Sequence, residues 1–272
     1  AGAHQDTIMR RAYGWPTKRV GAAFPRFGAA NIVPHARALA VPGTNWLFLD
    51  PAGRKSPFMV WLRVDALGHV YAYREWPGIE FGEWAVAGEG KRDGVPGPAQ
   101  DAMQGLGVDR MKRLILNLEN GEPIFLREMD PRFGHATVAS QEDEDCLVNM
   151  FLRPTPANSE GPELPGMMWG TWPSTRFIQE AVEVLKPWFD WNEDTPLSPL
   201  NCPRFYVSDH CQNLIYALKT WTSLDGEKGA TKDPIDCLLG AAKRGIQDLQ
   251  PAALGSRGGG SYRRGRAAGR TA

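Results

Sequence analysis

Residues 45–76, NWLFLDPAGRKSPFMVWLRVDALGHVYAYREW, constrain the fold more than any other stretch of the chain. Trp46 to Leu49 is a short apolar run that stops at Asp50, where Pro51-Ala52-Gly53 supplies a turn. Phe58 to Val64 is a second run, closed by Asp65-Ala66-Leu67-Gly68. From His69 to Trp76 the sequence sets Val70 and Ala72 against Tyr71 and Tyr73, the period-two pattern of a strand. Three strands in such close succession predict a meander, with Asp50 left at the C-terminal end of its first strand.

Downstream, the periodicity alternates between helix and strand. Met111, Leu114, Ile115 and Leu118 form an i, i+3, i+4, i+7 stripe, which predicts a helix over 108–119 stopped by Asn120-Gly121. Pro123 to Met129 reads as a fourth strand running into Asp130-Pro131, which repeats the strand, Asp, Pro order of the first. The acidic run Glu142 to Asp145 reads as a solvated helix start. Ser174 caps a helix with Phe177, Ile178, Ala181, Val182 and Leu185 on one face, ended by Pro187. Arg204 to Ser208 is a fifth strand. Asp209 with Gln212 then resembles a capping box before Leu214, Ile215, Leu218 and Trp221. The last helix begins at Asp233-Pro234 and carries Ile235, Leu238, Leu239, Ala242, Ile246 and Leu249. This order predicts an α/β fold, a mixed five-stranded sheet with helices on both faces.

A chain of 272 residues, 42% of them hydrophobic, can bury a full core of this kind. The predicted domain covers 45–250. Residues 1–44 read as a lead-in or linker that packs by Tyr13, Trp15, Phe24 and Phe27, and 77–107 as a loop-rich insertion. Gly88-Glu89-Gly90-Lys91 in that insertion is no phosphate loop, because Ala85 and Arg92 stand where Gly and Ser/Thr are required. Residues 251–272 read as a basic, disordered tail, with Arg257, Arg263, Arg264, Arg266 and Arg270 and no acid. The formal net charge of zero argues against a surface uniformly coated for nucleic acid. No run of 18 apolar residues predicts a membrane span. The N-terminus lacks an apolar signal region and does not begin with Met, so it reads as a piece of something longer. Cys146, Cys202, Cys211 and Cys237 form no C-x-x-C pair, which disfavours zinc or a disulfide framework and suits a reducing compartment. His4, His35, His69, His135 and His210 show no i, i+4 pairing and read as surface or structural residues.

The chemistry rests on carboxylates. If the strands ending at Asp50 and Asp130 are parallel neighbours, both acids emerge at one edge. Asp233-x-x-Asp236 adds two acids on one helical face, and Gly240 lies one further turn on, where a missing side chain allows close approach to the sheet. Converging carboxylates suit hard Mg²⁺ or Mn²⁺ ions, which in pairs about 4 Å apart clamp the attacking and leaving oxygens of a phosphodiester. Each acid also has a structural reading. Asp233 before Pro234 is a good N-cap, Asp236 suits a first turn, and Asp130 can begin a turn. Glu75, at the end of the third strand, is either an outer ligand or a surface acid.

The segments LFLDPAGRKSPFMVWLRVDALGHVYAYREWPG, EPIFLREMDPRFGHATV, PRFYVSDHCQNLIYALKTWT and ATKDPIDCLLGAAKRG together resemble the C-terminal nuclease domain of a tailed-bacteriophage terminase large subunit, over about residues 10–248. The resemblance implies a ribonuclease-H-like, resolvase-related fold, with Asp50 and Asp130 as the first two metal-binding acids. Asp236 matches the acid of a D-A-L-R-Y-like helix and Asp233 an accessory acid. Here Cys237-Leu238-Leu239-Gly240 replaces A-L-R-Y, which leaves the choice between Asp233 and Asp236 as principal helix ligand open. The implied activity is endonucleolytic cutting of concatemeric double-stranded viral DNA with two Mg²⁺ or Mn²⁺ ions. The implied partners are DNA, the portal protein, the small terminase subunit and an ATPase domain of the same polypeptide, whose Walker A sequence is absent here. The implied place is the host bacterial cytoplasm, at the procapsid portal. Arg54, Lys55, Arg132 and Lys232 beside the acids, and Arg263 and Arg264 in the tail, are candidate phosphate contacts. Two other readings compete, a resolvase- or transposase-like nuclease and a non-catalytic module docking DNA or the portal.

Overall fold

Strands that are apolar along their whole length need cover on both faces. The computed structural model, which describes residues 22–51, 57–78, 91–92, 95–96, 107–135, 137–139, 144–174, 178–222 and 232–249, provides it. β1 is Ile32–Val33, β2 Thr44–Asp50, β3 Phe58–Val64 and β4 Val70–Trp76. β5 (Lys91–Arg92) and β6 (Val95–Pro96) pair with each other, and β7 is Leu126–Met129. β8 (Thr137–Ala139) pairs with β9 (Glu144–Cys146), and β10 is Gly170–Thr171 and β11 Phe205–Ser208. The helices are α1 His35–Ala40, α2 Val108–Glu119, α3 Pro131–Gly134, α4 Leu147–Leu152, α5 Ile178–Phe189, α6 Gln212–Thr220 and α7 Lys232–Arg244.

The main sheet has seven strands in the order β1-β11-β4-β3-β2-β7-β10. β3 is antiparallel to both neighbours and every other pairing is parallel, so the C-terminal ends of six strands meet at one edge. This is the mixed α/β sheet of ribonuclease-H-like type that the sequence predicts, with two strands more than expected. β1 and β10 are two residues each, too short for periodicity to reveal. Phe48, Val60, Leu62 and Phe205 pack with Leu185, Leu214 and Leu238 of α5, α6 and α7 on one face. Leu47, Leu49, Trp61 and Tyr73 pack with Ala38, Met111, Ile115 and Phe151 of α1, α2 and α4 on the other. Each buried Val, Leu, Ile, Phe or Met among these contributes about 1.5–3 kcal/mol by leaving water.

Several local expectations change. β1 belongs to the sheet and Phe24 and Phe27 are core residues, so the folded unit reaches upstream of residue 45. α5 continues through Pro187 to Phe189, because a proline in the last turn removes only one helical hydrogen bond. α7 stops at Arg244, with Gly245 at φ +67°, so Leu249 is off the helix. Glu144 and Asp145 lie in a strand rather than a helix start, since pairing with β8 claims their backbone. Most of the 77–107 insertion falls outside the described residues, as do 1–21 and 250–272.

A β-bulge decides where Glu75 points. Leu62 pairs with Ala72 but Trp61 pairs with Arg74, which leaves Tyr73 as the extra residue. Glu75 is thereby moved from the face that simple alternation assigns it to the face of Val60, beneath α6. There its carboxylate accepts the N–H groups of Asn213 at 2.8 Å and Leu214 at 2.9 Å. It is a buried acceptor for the first turn of α6, neither a surface acid nor an outer ligand. The predicted Asp209–Gln212 box is not the cap: Cys211 holds the N-cap position, and Asp209 accepts from His35 N at 2.8 Å.

Candidate metal centre

β2 and β7 are parallel neighbours, with Leu49 opposite Met129, so Asp50 and Asp130 leave the sheet together. Both follow the face of Phe48 and Glu128, the face that α7 covers. Asp236 on α7 completes the group: ligand oxygens of Asp50, Asp130 and Asp236 all lie within 4.8 Å of one another. Asp50 and Asp130 are buried and Asp236 is partly so. α7 reaches this edge by burying Ile235 and Leu238, and by lacking a side chain at position 240. A Cβ at Gly240 would stand 2.5 Å from the Trp172 ring, which itself packs on Phe48. The close approach to the sheet expected at Gly240 is instead to an aromatic ring just past β10.

Asp130 does two things at once. It is the N-cap of α3, accepting from Arg132 N at 2.8 Å, with Pro131 in the first turn. It also meets the Arg132 guanidinium at 2.7 Å, and that guanidinium lies 3.5 Å from Asp236. Lys232 Nζ sits 3.1 Å from the same Asp236 carboxylate. Three carboxylates therefore face two cations. Burial pushes the Asp236 carboxyl up, and Asp130 adds to this, while Lys232 and Arg132 pull it down. The neighbouring Cys237 thiol is pushed well up, first by burial and then by Asp50, Asp236 and Asp233. Its Sγ is turned to the Phe58 carbonyl, 3.8 Å away.

These residues fit a hard divalent cation. The converging donors are all carboxylate oxygens, and crowded acids repel one another unless a cation is shared between them. A set without imidazole or thiolate suits Mg²⁺ or Mn²⁺ better than zinc. Asp233 is buried one turn before Asp236 but outside the trio. It is not the N-cap either, because α7 begins at Lys232. Of the candidate phosphate contacts, Arg132 and Lys232 stand on the acids, whereas Arg54, Lys55, Arg263 and Arg264 lie outside the described residues.

One acid escaped sequence reasoning. Glu128, two residues before Asp130 on the same strand face, is fully buried and meets Arg244 Nε at 2.9 Å. Burial raises its carboxyl and Arg244 opposes the rise. The contact is a charge pair without hydrogen-bond geometry. α7 is consequently held at both ends by charges from β7 and α3: Arg244 on Glu128, and Asp236 on Arg132. Alternation counted back from Asp130 was the signal that could have found it.

No protein-family model matches the chain, and neither does any curated protein. Among solved structures, the fold is similar to a large terminase from the thermophilic bacteriophage D6E, with a TM-score of 0.51 and 10% identity over 89% of this chain and 51% of that one. A second crystal form of that protein gives 0.47 at 11% identity, covering 83% and 44%, and its complex with ADP gives 0.48 at 10%, covering 89% and 49%. The chain spans about half the length of the terminase chains it matches. At such identity the likeness is one of fold.

Proposed function

We propose that the chain is a metal-dependent endonuclease acting on double-stranded viral DNA, the cutting half of a genome-packaging terminase. The observation that carries this reading is the meeting of Asp50, Asp130 and Asp236 at the C-terminal edge of β2 and β7. Those three carboxylates would hold Mg²⁺ or Mn²⁺, two ions in the fullest form, with Asp233 in support. Bound there, the metal supplies Lewis acidity toward phosphorus and an activated water. The sheet edge holds Asp50 and Asp130 rigid, and α7 sets the third acid against them. Arg132 has a side chain 58% exposed, against 10% for Lys232, and is the better placed to reach a phosphate oxygen. Such a contact raises affinity without choosing sequence. Portal protein, small subunit and an ATPase domain of the same polypeptide are partners on this reading, at the procapsid in the host cytoplasm. Within the described residues, no helix is long and apolar enough to cross a membrane.

The test is cleavage of plasmid and linear duplex in Mn²⁺. The parent cuts, and chelation stops it. Asp50→Asn, Asp130→Asn and Asp236→Asn each lower the rate by at least about 100-fold, more than the loss of a supporting group around a metal usually costs. Asp233→Asn costs less than Asp236→Asn. Cleavage that survives all three substitutions sinks the assignment, and a strong preference for four-way junctions transfers it to a resolvase.

A further inference from the structure

At the edge of the sheet opposite the acids, where β3 turns into β4 and the chain enters β11, three side chains stand in series. The Asp65 carboxylate is fixed by its own turn, its Oδ1 accepting the N–H of Leu67 at 2.9 Å and of His69 at 2.8 Å. Its Oδ2 lies 3.0 Å from His69 Nδ1. An ionised carboxylate can only accept, so Nδ1 carries the proton and Nε2 presents its lone pair. That Nε2 is 3.5 Å from Cys202 Sγ, within hydrogen-bond reach for sulfur. The imidazole plane is held by the Tyr206 ring, met edge-on at 5.8 Å, and Tyr206 in turn stacks on Tyr71. Carboxylate, imidazole and thiol in this order make a nucleophile, its base and the group that orients the base.

The trio opens on a cleft of about 430 Å³ lined by Leu67, Gly68, His69, Pro199, Leu200 and Cys202, a size that admits a small molecule. Leu67 and Leu200 stand 78% and 100% exposed, apolar cover for a sulfur compound seated on Cys202. Other polar groups facing the trio are the Pro199 carbonyl, 3.9 Å from Cys202 Sγ, the Tyr206 hydroxyl, hydrogen-bonded to Cys202, the Tyr71 hydroxyl, Arg204, whose Nε donates to Gly68 O at 3.0 Å, and Arg37 over the Tyr206 ring. Cys211 and Cys237 are buried, at 1% and 0% exposed, so they do not compete.

We propose that Cys202 is a reactive thiol, activated by His69 and positioned through Asp65, that exchanges with low-molecular-weight disulfides. His69 Nε2 takes the Sγ proton as Sγ bonds to one sulfur of the disulfide. The disulfide bond breaks, and the departing thiolate recovers the proton from His69. The products are a mixed disulfide on Cys202 and one free thiol: the Cys202 sulfur is oxidised and the departing sulfur reduced, so the small disulfide is itself the oxidant. The proposal is independent of the metal centre.

The test treats the full chain with glutathione disulfide and follows the mass gain and its position by peptide mapping. Modification appears first at Cys202 and is lost in Cys202→Ser. His69→Gln slows it by roughly five-fold or more near pH 7, where a base must take the proton. Asp65→Asn slows it less. Near pH 10, where ordinary thiols ionise unaided, parent and both variants converge, which a merely structural role for His69 would not produce. First modification at another cysteine, equal rates for parent and His69→Gln near pH 7, or a His69→Gln deficit that persists near pH 10 would each overturn the proposal.

Discussion

His35 opens α1 with its ring stacked on that of His210, centroids 4.1 Å apart, and its Nδ1 lies 2.9 Å from the Ser208 hydroxyl. Two imidazoles in face contact cannot both ionise cheaply. Burial first, then the His210 charge, holds His35 below its ordinary value of 6.5, with Arg74 adding and Asp209 opposing. The folded state therefore binds fewer protons than the unfolded chain once pH falls through 6.5. Stability is full above that value and declines below it. Thermal unfolding at pH 7.5 and pH 5.5 should show the parent losing more on acidification than His35→Asn, whose amide can still reach Ser208. Equal losses in the two proteins would remove His35 from the account. Lys112 makes the same point about burial, which holds its ammonium below the ordinary lysine value while Asp109 opposes the shift. Only 1% exposed, it donates to the Arg153 carbonyl and to Thr155 Oγ1, which is how a charged head enters the core at all.

Among the elements, α7 matters most for the site, and its placement depends on one missing methyl. Gly240→Ala puts a carbon 2.5 Å from the Trp172 ring, so helix or ring must give way. Overpacking of this kind costs about 1–3 kcal/mol. The shift also carries Asp236 away from Asp50 and Asp130. The expected outcome is a lower melting temperature and weaker Mn²⁺-dependent cleavage, both partly restored when Trp172→Leu is added. A Gly240→Ala protein with parental melting and cleavage would show that this contact does not set the helix. The Cys237-Leu238-Leu239-Gly240 stretch departs from the A-L-R-Y of the pattern it resembles. In the fold, Cys237 and Leu238 are buried and Gly240 meets an indole ring, so the stretch serves packing.

For the whole molecule, charge is distributed rather than summed. The net charge is zero, yet residues 256–272 bring five arginines and no acid. If they bind DNA backbone, deleting Ser256 to Ala272 weakens affinity at low salt and flattens the plot of log K against log salt by up to about 4.5, at roughly 0.9 per phosphate neutralised. Cleavage chemistry should survive the deletion. Filter binding at several salt concentrations measures this, and an unchanged slope would assign the tail elsewhere. The two proposed sites lie at opposite edges of the same sheet, because β3 alone runs against the others.

Much of this was readable in the residues. The apolar runs that become β2, β3, β4, β7 and β11, and the stripe that becomes α2, are set by local covalent chemistry and periodicity, which a sequence carries in full. So was the placing of Asp50 and Asp130 at strand ends, because the strands stop there. Three-dimensional pairing decided the rest. β1 and β10 exist only because a longer neighbour offers them hydrogen bonds. The bulge at Tyr73 moved Glu75 to the other face, since one extra residue reverses every side chain beyond it. Glu128 and Arg244, and likewise Cys202 and the local Asp65–His69 pair, become neighbours only once distant segments pack. In a chain of this length, local propensity fixes which elements form, and sheet register fixes which side chains meet.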